Sequence, residues 1–358
     1  MTRVSFEVDG SQGEGGGQIL RTALGLATIL CKSIKITNIR MNRPNPGLRP
    51  QHITVVKALA QISKASMSPL KLGQTKLVFQ PHEIRGNSFI FDIGTAGSIS
   101  LLLQSMIPVL CWAKKRTDLT LHGGTNNPLA PPIDNLQTVV VPILSLLGVK
   151  GAVRLIKRGF YPKGGGIVKC TFQPLNQILP LKLHHYDSVS TIHGIAYSAR
   201  LPCHIVQRMA EKVKTILQVE RLMCHITTEC LQASDSRCAL GPGTGICLYA
   251  ELVPFGRLGS DMLGERGLPA ERVGSMTASN LLLQLRSRAP IDKFLGDQLI
   301  PLLALASGTS IIRVSELTSH TTTCIEITKQ LTNAQFRISK GPGLSAKITC
   351  QGIGLTRQ

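Results

Sequence analysis

Residues 9–18 read DGSQGEGGGQ, five glycines and the carboxylate Glu14 within ten positions. Before them the run from Val4 to Val8 alternates apolar and polar residues, as a strand does; after them, from Ile19, apolar residues recur at helical spacing. A strand, a glycine loop and a helix aim backbone N–H groups and the positive end of a helix dipole at an anion, and glycine lets the backbone come close to it. The same order also suits a tight turn feeding a helix. A Walker loop is excluded because no Gly-Lys-Ser/Thr follows, and dinucleotide GxGxxG spacing fails at Gln18. Glu14 would repel a polyanion unless a cation lay between them, so it reads as a ligand for Mg²⁺ or Mn²⁺ shared with phosphate oxygens, or else as an exposed turn carboxylate.

Outward from this loop the pattern gives strand Val4–Val8, helix Gln18–Leu30, strand Ile34–Ile39, a proline loop, helix Gln51–Ser63 and strand Lys76–Gln80. The order recurs as strand Phe89–Ile93, the loop GTAG, helix Ser98–Ala113, strand Leu119–His122, the loop GGTNNPLAPP, helix Ile133–Leu147 and strands Val153–Lys157 and Ile167–Phe172. Two units of similar length and equal element order indicate an internal duplication. A third, less complete copy follows near the end, with helices Lys293–Ala306 and Thr323–Leu331 around strand Ser310–Val314, then strands Gln335–Ser339 and Ala346–Gln351. Between them the pattern changes: strand Val189–Ser198, helix Ile205–Leu217, strands Leu222–Thr228 and Ile246–Val253, helix Ala270–Leu285. The expected organisation is residues 1–182 and 288–358 in one large domain and 183–287 in a smaller inserted one.

The 358 residues are 43% hydrophobic, which excludes a disordered chain. Forty Lys and Arg oppose 20 Asp and Glu, a formal charge of +20 that favours a polyanionic partner or reflects a generally basic surface. The start of the chain lacks the apolar core of a secretory signal, and the longest greasy stretch, Ser98–Ala113, is interrupted by Gln104 and Pro108 and is too short to span a bilayer. An intracellular protein without membrane association is expected, cytoplasmic, or nuclear in a eukaryote. Ten cysteines contain no CxxC pair, so neither a disulfide framework nor a zinc ribbon is indicated, and the spacing of Cys224, His225, Cys230 and Cys238 does not suit a tetrahedral zinc site.

Four arginines lie near the glycine loop: Arg21 at the helix start, and Arg40, Arg43 and Arg49 in the segment IRMNRPNPGLRPQH. Guanidinium forks match phosphate oxygens, and prolines stiffen the loop that carries them. A second basic stretch, RLIKRGFYPKGGG at 154–166, sets Arg154, Lys157, Arg158 and Lys163 around Phe160 and Tyr161. It reads either as an RNA-neutralising and base-stacking element or as a solvated hairpin edge.

Taken together, GSQGEGGGQILRTAL, IRMNRPNPGLRPQH, DIGTAGSISLLLQ, HGGTNNPLAPPID, RGFYPKGGG, DQLI and LTSHTTTCIEI, spread from Gly10 to Ile327, resemble the RNA 3′-terminal phosphate cyclase family. The resemblance implies an α+β fold of repeated βαβαββ-type units, related to the enolpyruvyl transferase fold, with a smaller α/β domain inserted. It implies His320 as a nucleophile that attacks the α-phosphorus of ATP. The histidine-bound AMP then passes to an RNA 3′-phosphate, and the neighbouring 2′-OH closes a 2′,3′-cyclic phosphate. By the same resemblance Gln104, Pro131, Phe294 and Asp297 line the adenylate pocket, Phe294 standing where family members carry tyrosine. Arg21, Arg40, Arg43 and Gln51 face the RNA terminal phosphate, and Glu14 holds the metal. On residue types alone, Asp297 also suits a pair with Lys293 at i and i+4. The partner implied is RNA ending in a 3′-phosphate, with no obligate protein partner. Two alternatives are a cyclase-like RNA-binding factor without catalysis, acting in ribosome biogenesis, against which His320 and Glu14 speak, and an enolpyruvyl transferase, against which the basic charge and the motif set speak.

Overall fold

In the computed structural model, which describes residues 4–357, the opening run forms the strand Phe6–Asp9, parallel to Ile34–Thr37 with Val8 opposite Ile36. Val8, Ile34 and Ile36 are fully buried while their neighbours in sequence are not, so the period-2 pattern turns one face of the strands to the core. Ile34–Thr37 is followed across the sheet by Leu77–Gln80 and Ser66–Met67, both pairings antiparallel.

Two further sheets repeat this arrangement. Ser88–Asp92, Thr117–Gly123, Gly166–Phe172 and Gly151–Lys157 lie side by side in that order, parallel at the first pairing and antiparallel at the next two. Lys182–Leu183, Thr309–Val314, Ala346–Gln351 and Gln335–Lys340 follow the same order and directions. A fourth sheet differs: Cys224–Leu231, Ser188–Ala199, Gly243–Val253 and Arg257–Leu263, with one parallel and two antiparallel pairings. Its own apolar core lies between the sheet and helices His204–Val219 and Ala270–Arg286, apart from the larger core that the other three sheets share. The described residues form a mixed α/β protein with four small mixed sheets.

Helix Gly17–Ile29 is the hub of the large core. It packs against Pro50–Ser63, Ile99–Leu110 and Ser319–Thr332, one helix from its own unit and one from each of the other two. Gly25 faces the Ser105 carbonyl oxygen of helix Ile99–Leu110, where an added Cβ would sit 3.4 Å away, at ordinary contact distance. Each sequence unit therefore delivers a helix end to the same place.

The two cores are joined by a buried ion network. Arg158, at the end of Gly151–Lys157, is 2% exposed; it donates to both carboxylate oxygens of Asp134 at 2.9 Å and to Glu229 on the fourth sheet at 2.6 Å, and its guanidinium lies 4.0 Å from the centre of the Tyr197 ring. This corrects the reading of RLIKRGFYPKGGG as a uniformly available basic element: Arg158 and Phe160 are interior, whereas Arg154, Tyr161 and Lys163 are exposed. The one disulfide among the described residues, Cys203–Cys230, also departs from expectation. Its cysteines are 27 positions apart in sequence, but the start of helix His204–Val219 and the end of strand Cys224–Leu231 meet there. Among the described residues no group of three or more His, Cys, Asp or Glu forms a metal cluster, and no helix is long and apolar enough to cross a membrane.

Candidate active site

The glycine loop ends at Gly16, which caps helix Gly17–Ile29 without a side-chain hydrogen bond and with no acidic residue in the first turn, so the helix presents bare N–H groups there. Two of its glycines are required by close approach. Gly13 has a left-handed backbone (φ +53) and faces the Thr323 hydroxyl, and a Cβ on Gly17 would strike the His52 ring. The proline loop is strapped to the glycine loop by Asn42, whose amide donates to the Ser11 carbonyl at 2.8 Å.

Helix Ser319–Thr332 starts beside this loop. Thr318 caps it, accepting the Thr321 N–H at 3.1 Å, and this turns Ser319 and His320 toward Glu14. Ser319 Oγ donates to Glu14 Oε1, His320 Nε2 lies 3.1 Å from Glu14 Oε2, and an Arg43 Nη reaches the same Oε2 at 3.2 Å. The hydrogen bond from Ser319, helped by the positive charges of His320 and Arg43 and opposed by partial burial, holds the Glu14 carboxyl below the usual carboxylate range.

The other side of the His320 ring is fixed by Gln18. The Gln18 amide nitrogen donates to Asp297 Oδ2 at 2.7 Å and to the His320 carbonyl oxygen at 3.1 Å. Both partners are acceptors, so the amide oxygen is the atom that faces His320 Nδ1, and Nδ1 carries the proton. This leaves Nε2 facing the Glu14 carboxylate, to which it can only donate; it presents a lone pair once that contact and its proton are given up. Gln18, Arg21, Gln104, Asp297 and Gln298 line one small cavity at the helix hub. Burial raises the Asp297 carboxyl to about 7 against the pull of Arg21, and burial lowers Arg21 to about 10 against the pull of Asp297. Lys293 does not pair with Asp297; it reaches Glu316 at 3.2 Å. Phe294 stands at the start of helix Leu295–Leu305 with 60% of its surface exposed, and Pro131 is tied to the hub by its carbonyl, which accepts the Ser100 hydroxyl at 2.6 Å.

Arg21, Arg40 and Arg49 surround His52, whose ring is buried and pushed down to about 3 by that burial and by the three guanidinium charges. His52 Nδ1 accepts the Arg49 N–H at 3.1 Å, so the ring is a neutral cap of helix Pro50–Ser63 and also a spacer among arginines. Arg40 adopts a left-handed backbone (φ +55) and donates to the carbonyls of Asn45 at 2.6 Å and Gly47 at 3.0 Å, so part of its fork is spent on the loop. Gln51 turns the other way, its amide oxygen 3.4 Å from the Ser98 N–H. Thus Glu14 contacts both Arg43 and His320, and Arg21, Gln104 and Asp297 share a cavity, whereas Pro131 is held by Ser100, Gln51 by Ser98, and Phe294 is open to solvent. Gln18, Ser319 and His52 are the members that the sequence pattern does not single out, although all three lie inside the quoted motifs.

One carboxylate with flanking donors is a poor cation cage by itself but a suitable partner for a divalent ion whose other ligands are phosphate oxygens and water, which is how Mg²⁺ is commonly held. Glu14 is the residue that fits this role.

A family model described as RNA 3′-terminal phosphate cyclase matches residues 12–338. The protein called RNA 3′-terminal phosphate cyclase in Caldivirga maquilingensis is 45% identical over 353 residues, covering 98% of this chain and 99% of its own. Its namesake in Pyrococcus furiosus is 40% identical over 341 residues, covering 95% and 97%. The chain belongs to the RNA 3′-terminal phosphate cyclase family, a family of enzymes. Among solved structures, EPSP synthase from Acinetobacter baumannii superposes with TM-scores of 0.24 and 0.28 at 11% and 9% identity, over 59% and 94% of this chain and 54% and 63% of the other; superposition at that level defines no common fold.

Proposed function

We propose that this protein converts an RNA 3′-terminal phosphate to a 2′,3′-cyclic phosphate at the expense of ATP, through a covalent histidyl-AMP on His320. The observation that carries the reading is the hold on the His320 ring: Gln18 accepts from Nδ1, and Nε2 points at Glu14 beside the arginine-lined glycine loop.

His320 Nε2 attacks the α-phosphorus of ATP, the bond from that phosphorus to the bridging oxygen breaks, and pyrophosphate leaves. An RNA 3′-phosphate oxygen then takes the AMP from His320, returning the lone pair to the imidazole. The adjacent 2′-OH oxygen attacks the RNA phosphorus, the anhydride opens and AMP departs. That last step joins groups already on one ribose, a geometry in which proximity supplies on the order of 7 kcal/mol or more. Gln104, Asp297, Phe294 and Pro131 hold the adenylate, and Arg21, Arg40, Arg43 and Gln51 hold the RNA phosphate. Mg²⁺ or Mn²⁺ on Glu14 would offset triphosphate charge and favour departure of pyrophosphate. With Glu14 so engaged, Nε2 would lose the carboxylate that it donates to, and release of its proton to solvent would free the lone pair for attack. The net charge of +20 supports a polyanionic substrate. We also infer that the three like-ordered sheets are repeated βαβαββ-type units, enolpyruvyl transferase/cyclase-like, that the fourth sheet with its helices is the inserted domain, and that the protein works inside the cell without a membrane or an obligate protein partner.

The test is incubation of a synthetic RNA bearing a 3′-phosphate with ATP and Mg²⁺ or Mn²⁺. The reading expects an end that resists phosphatase, with AMP and pyrophosphate formed in step with it; an end that stays phosphatase-sensitive while ATP binds contradicts it.

A further inference from the structure

Next to the arginine pocket, on the far side of Gln51, lies an open cleft of about 590 Å³, within the range of small-ligand sites. One wall is the turn Thr95–Ser98, the other is the loop Asn127–Ala130, and Tyr161 with Pro162 closes one end. The glycine turn that carries Tyr161 is seated directly on the first wall, Gly164 lying so close to Ala96 that a Cβ would come within 2.8 Å of its Cα. The second wall is fastened to the first by the Asn127 amide, which donates to the Ala96 carbonyl.

Two features mark this cleft as more than a surface dent. Leu129 stands at the loop tip with its side chain fully open to water (103% exposed) and its backbone in the left-handed region (φ +61). A branched apolar residue in that conformation is strained and gains nothing from burial there, a combination that persists where it serves a ligand. Tyr161, 67% exposed, presents a second apolar surface at the cleft's end. The lining carries no charged side chain, so it recognises faces rather than phosphates, while Gln51 is common to the cleft and to the phosphate-binding set.

We propose that this cleft receives the 3′-terminal nucleosides of the RNA, with bases packing on Tyr161 and Leu129 while Gln51 and the arginines hold the terminal phosphate; the proposal rests on the cyclase reading. Contact with base faces accepts every base, so affinity comes without sequence preference. Lys163, exposed next to Pro162, is a cation available to the RNA backbone.

The experiment compares wild type, Tyr161→Ala, Tyr161→Phe and Leu129→Ala on 3′-phosphorylated RNA decamers of differing terminal sequence, in parallel with self-adenylylation by ATP alone. The expected result is a KM for RNA raised about 10-fold by either alanine, near wild type in Tyr161→Phe, equal for all four terminal bases, with self-adenylylation unchanged. An unchanged KM, or adenylylation falling in step with cyclisation, overturns the assignment. Should wild type fail to cyclise RNA, the cyclase reading falls, and fluorescence anisotropy of the same labelled decamers still decides: binding weakened about 10-fold by Tyr161→Ala upholds the cleft, and unaltered binding rejects it.

Discussion

The Gln18 side-chain oxygen accepts from His320 Nδ1 while its nitrogen is occupied by Asp297 and the His320 carbonyl, so one amide sets both the tautomer and the tilt of the imidazole. The arrangement follows the general logic of a nucleophile or base oriented by a second group and that group by a third. Gln18→Leu removes the acceptor without removing bulk. Formation of histidyl-AMP should slow by about 10²-fold or more, with ATP affinity largely kept and the pH profile of the rate displaced. Gln18→Glu, which retains an acceptor, should recover part of the rate. Quenched-flow labelling across pH measures both.

Glu14 is shared between Ser319, His320 and Arg43 in the protein alone. In Glu14→Ala the rate of adenylylation at fixed metal should fall about 10²-fold, and the Mg²⁺ or Mn²⁺ concentration for half-maximal rate should rise. A rate loss with an unchanged metal titration would assign Glu14 to His320 orientation instead.

Much of this site was legible because its residues cluster in sequence. The glycine loop with Glu14 and the arginines after it each stand in a recognisable stretch, whereas His320, a histidine among threonines, was singled out only by the family resemblance. The helix hub was half legible: helix Gln18–Leu30 is found at Gly17–Ile29, but its apolar face says only that it is buried, not that three partners share it. Gln18 was hidden because a glutamine among buried residues has no distinctive pattern, and its role exists only when residues about 280 and 300 positions away arrive. Helix Ile133–Leu147 is interrupted by a wider turn over Leu136–Val140, which apolar periodicity does not distinguish from a regular helix. Strand Arg257–Leu263 went unread because Gly259, Ser260 and Asp261 have weak strand propensity, and Gly259 and Ser260 are buried there by pairing and by helix Ala270–Arg286.

The Arg158–Asp134–Glu229 network predicts a stability effect rather than a catalytic one. Asp134→Ala leaves a guanidinium buried without its bidentate partner and should cost about 3–5 kcal/mol in urea unfolding. Glu229→Gln should cost less, since Glu229 is closer to solvent and also pairs with Arg237.

The raised Asp297 carboxyl predicts a pH dependence. With its pKa at about 7 in the folded protein against 3.8 for the free group, the native state keeps a proton that the unfolded chain has lost, so this group's contribution to stability falls as the pH rises from about 4 to about 7. Asp297→Asn should abolish that fall. The difference between wild type and variant, taken at each pH by chemical denaturation, separates it from His52. That ring is shifted down to about 3, and its contribution runs the opposite way, being lost as the pH falls from about 6.5 to about 3.

The central claim, a nucleophilic His320, is tested most directly by incubating wild type and His320→Ala with ATP labelled at the α-phosphate and a divalent metal, then assaying for protein-bound, acid-labile AMP. The account predicts label on wild type and none on the variant. No label on a folded, ATP-binding wild type, or equal label on both, would contradict it.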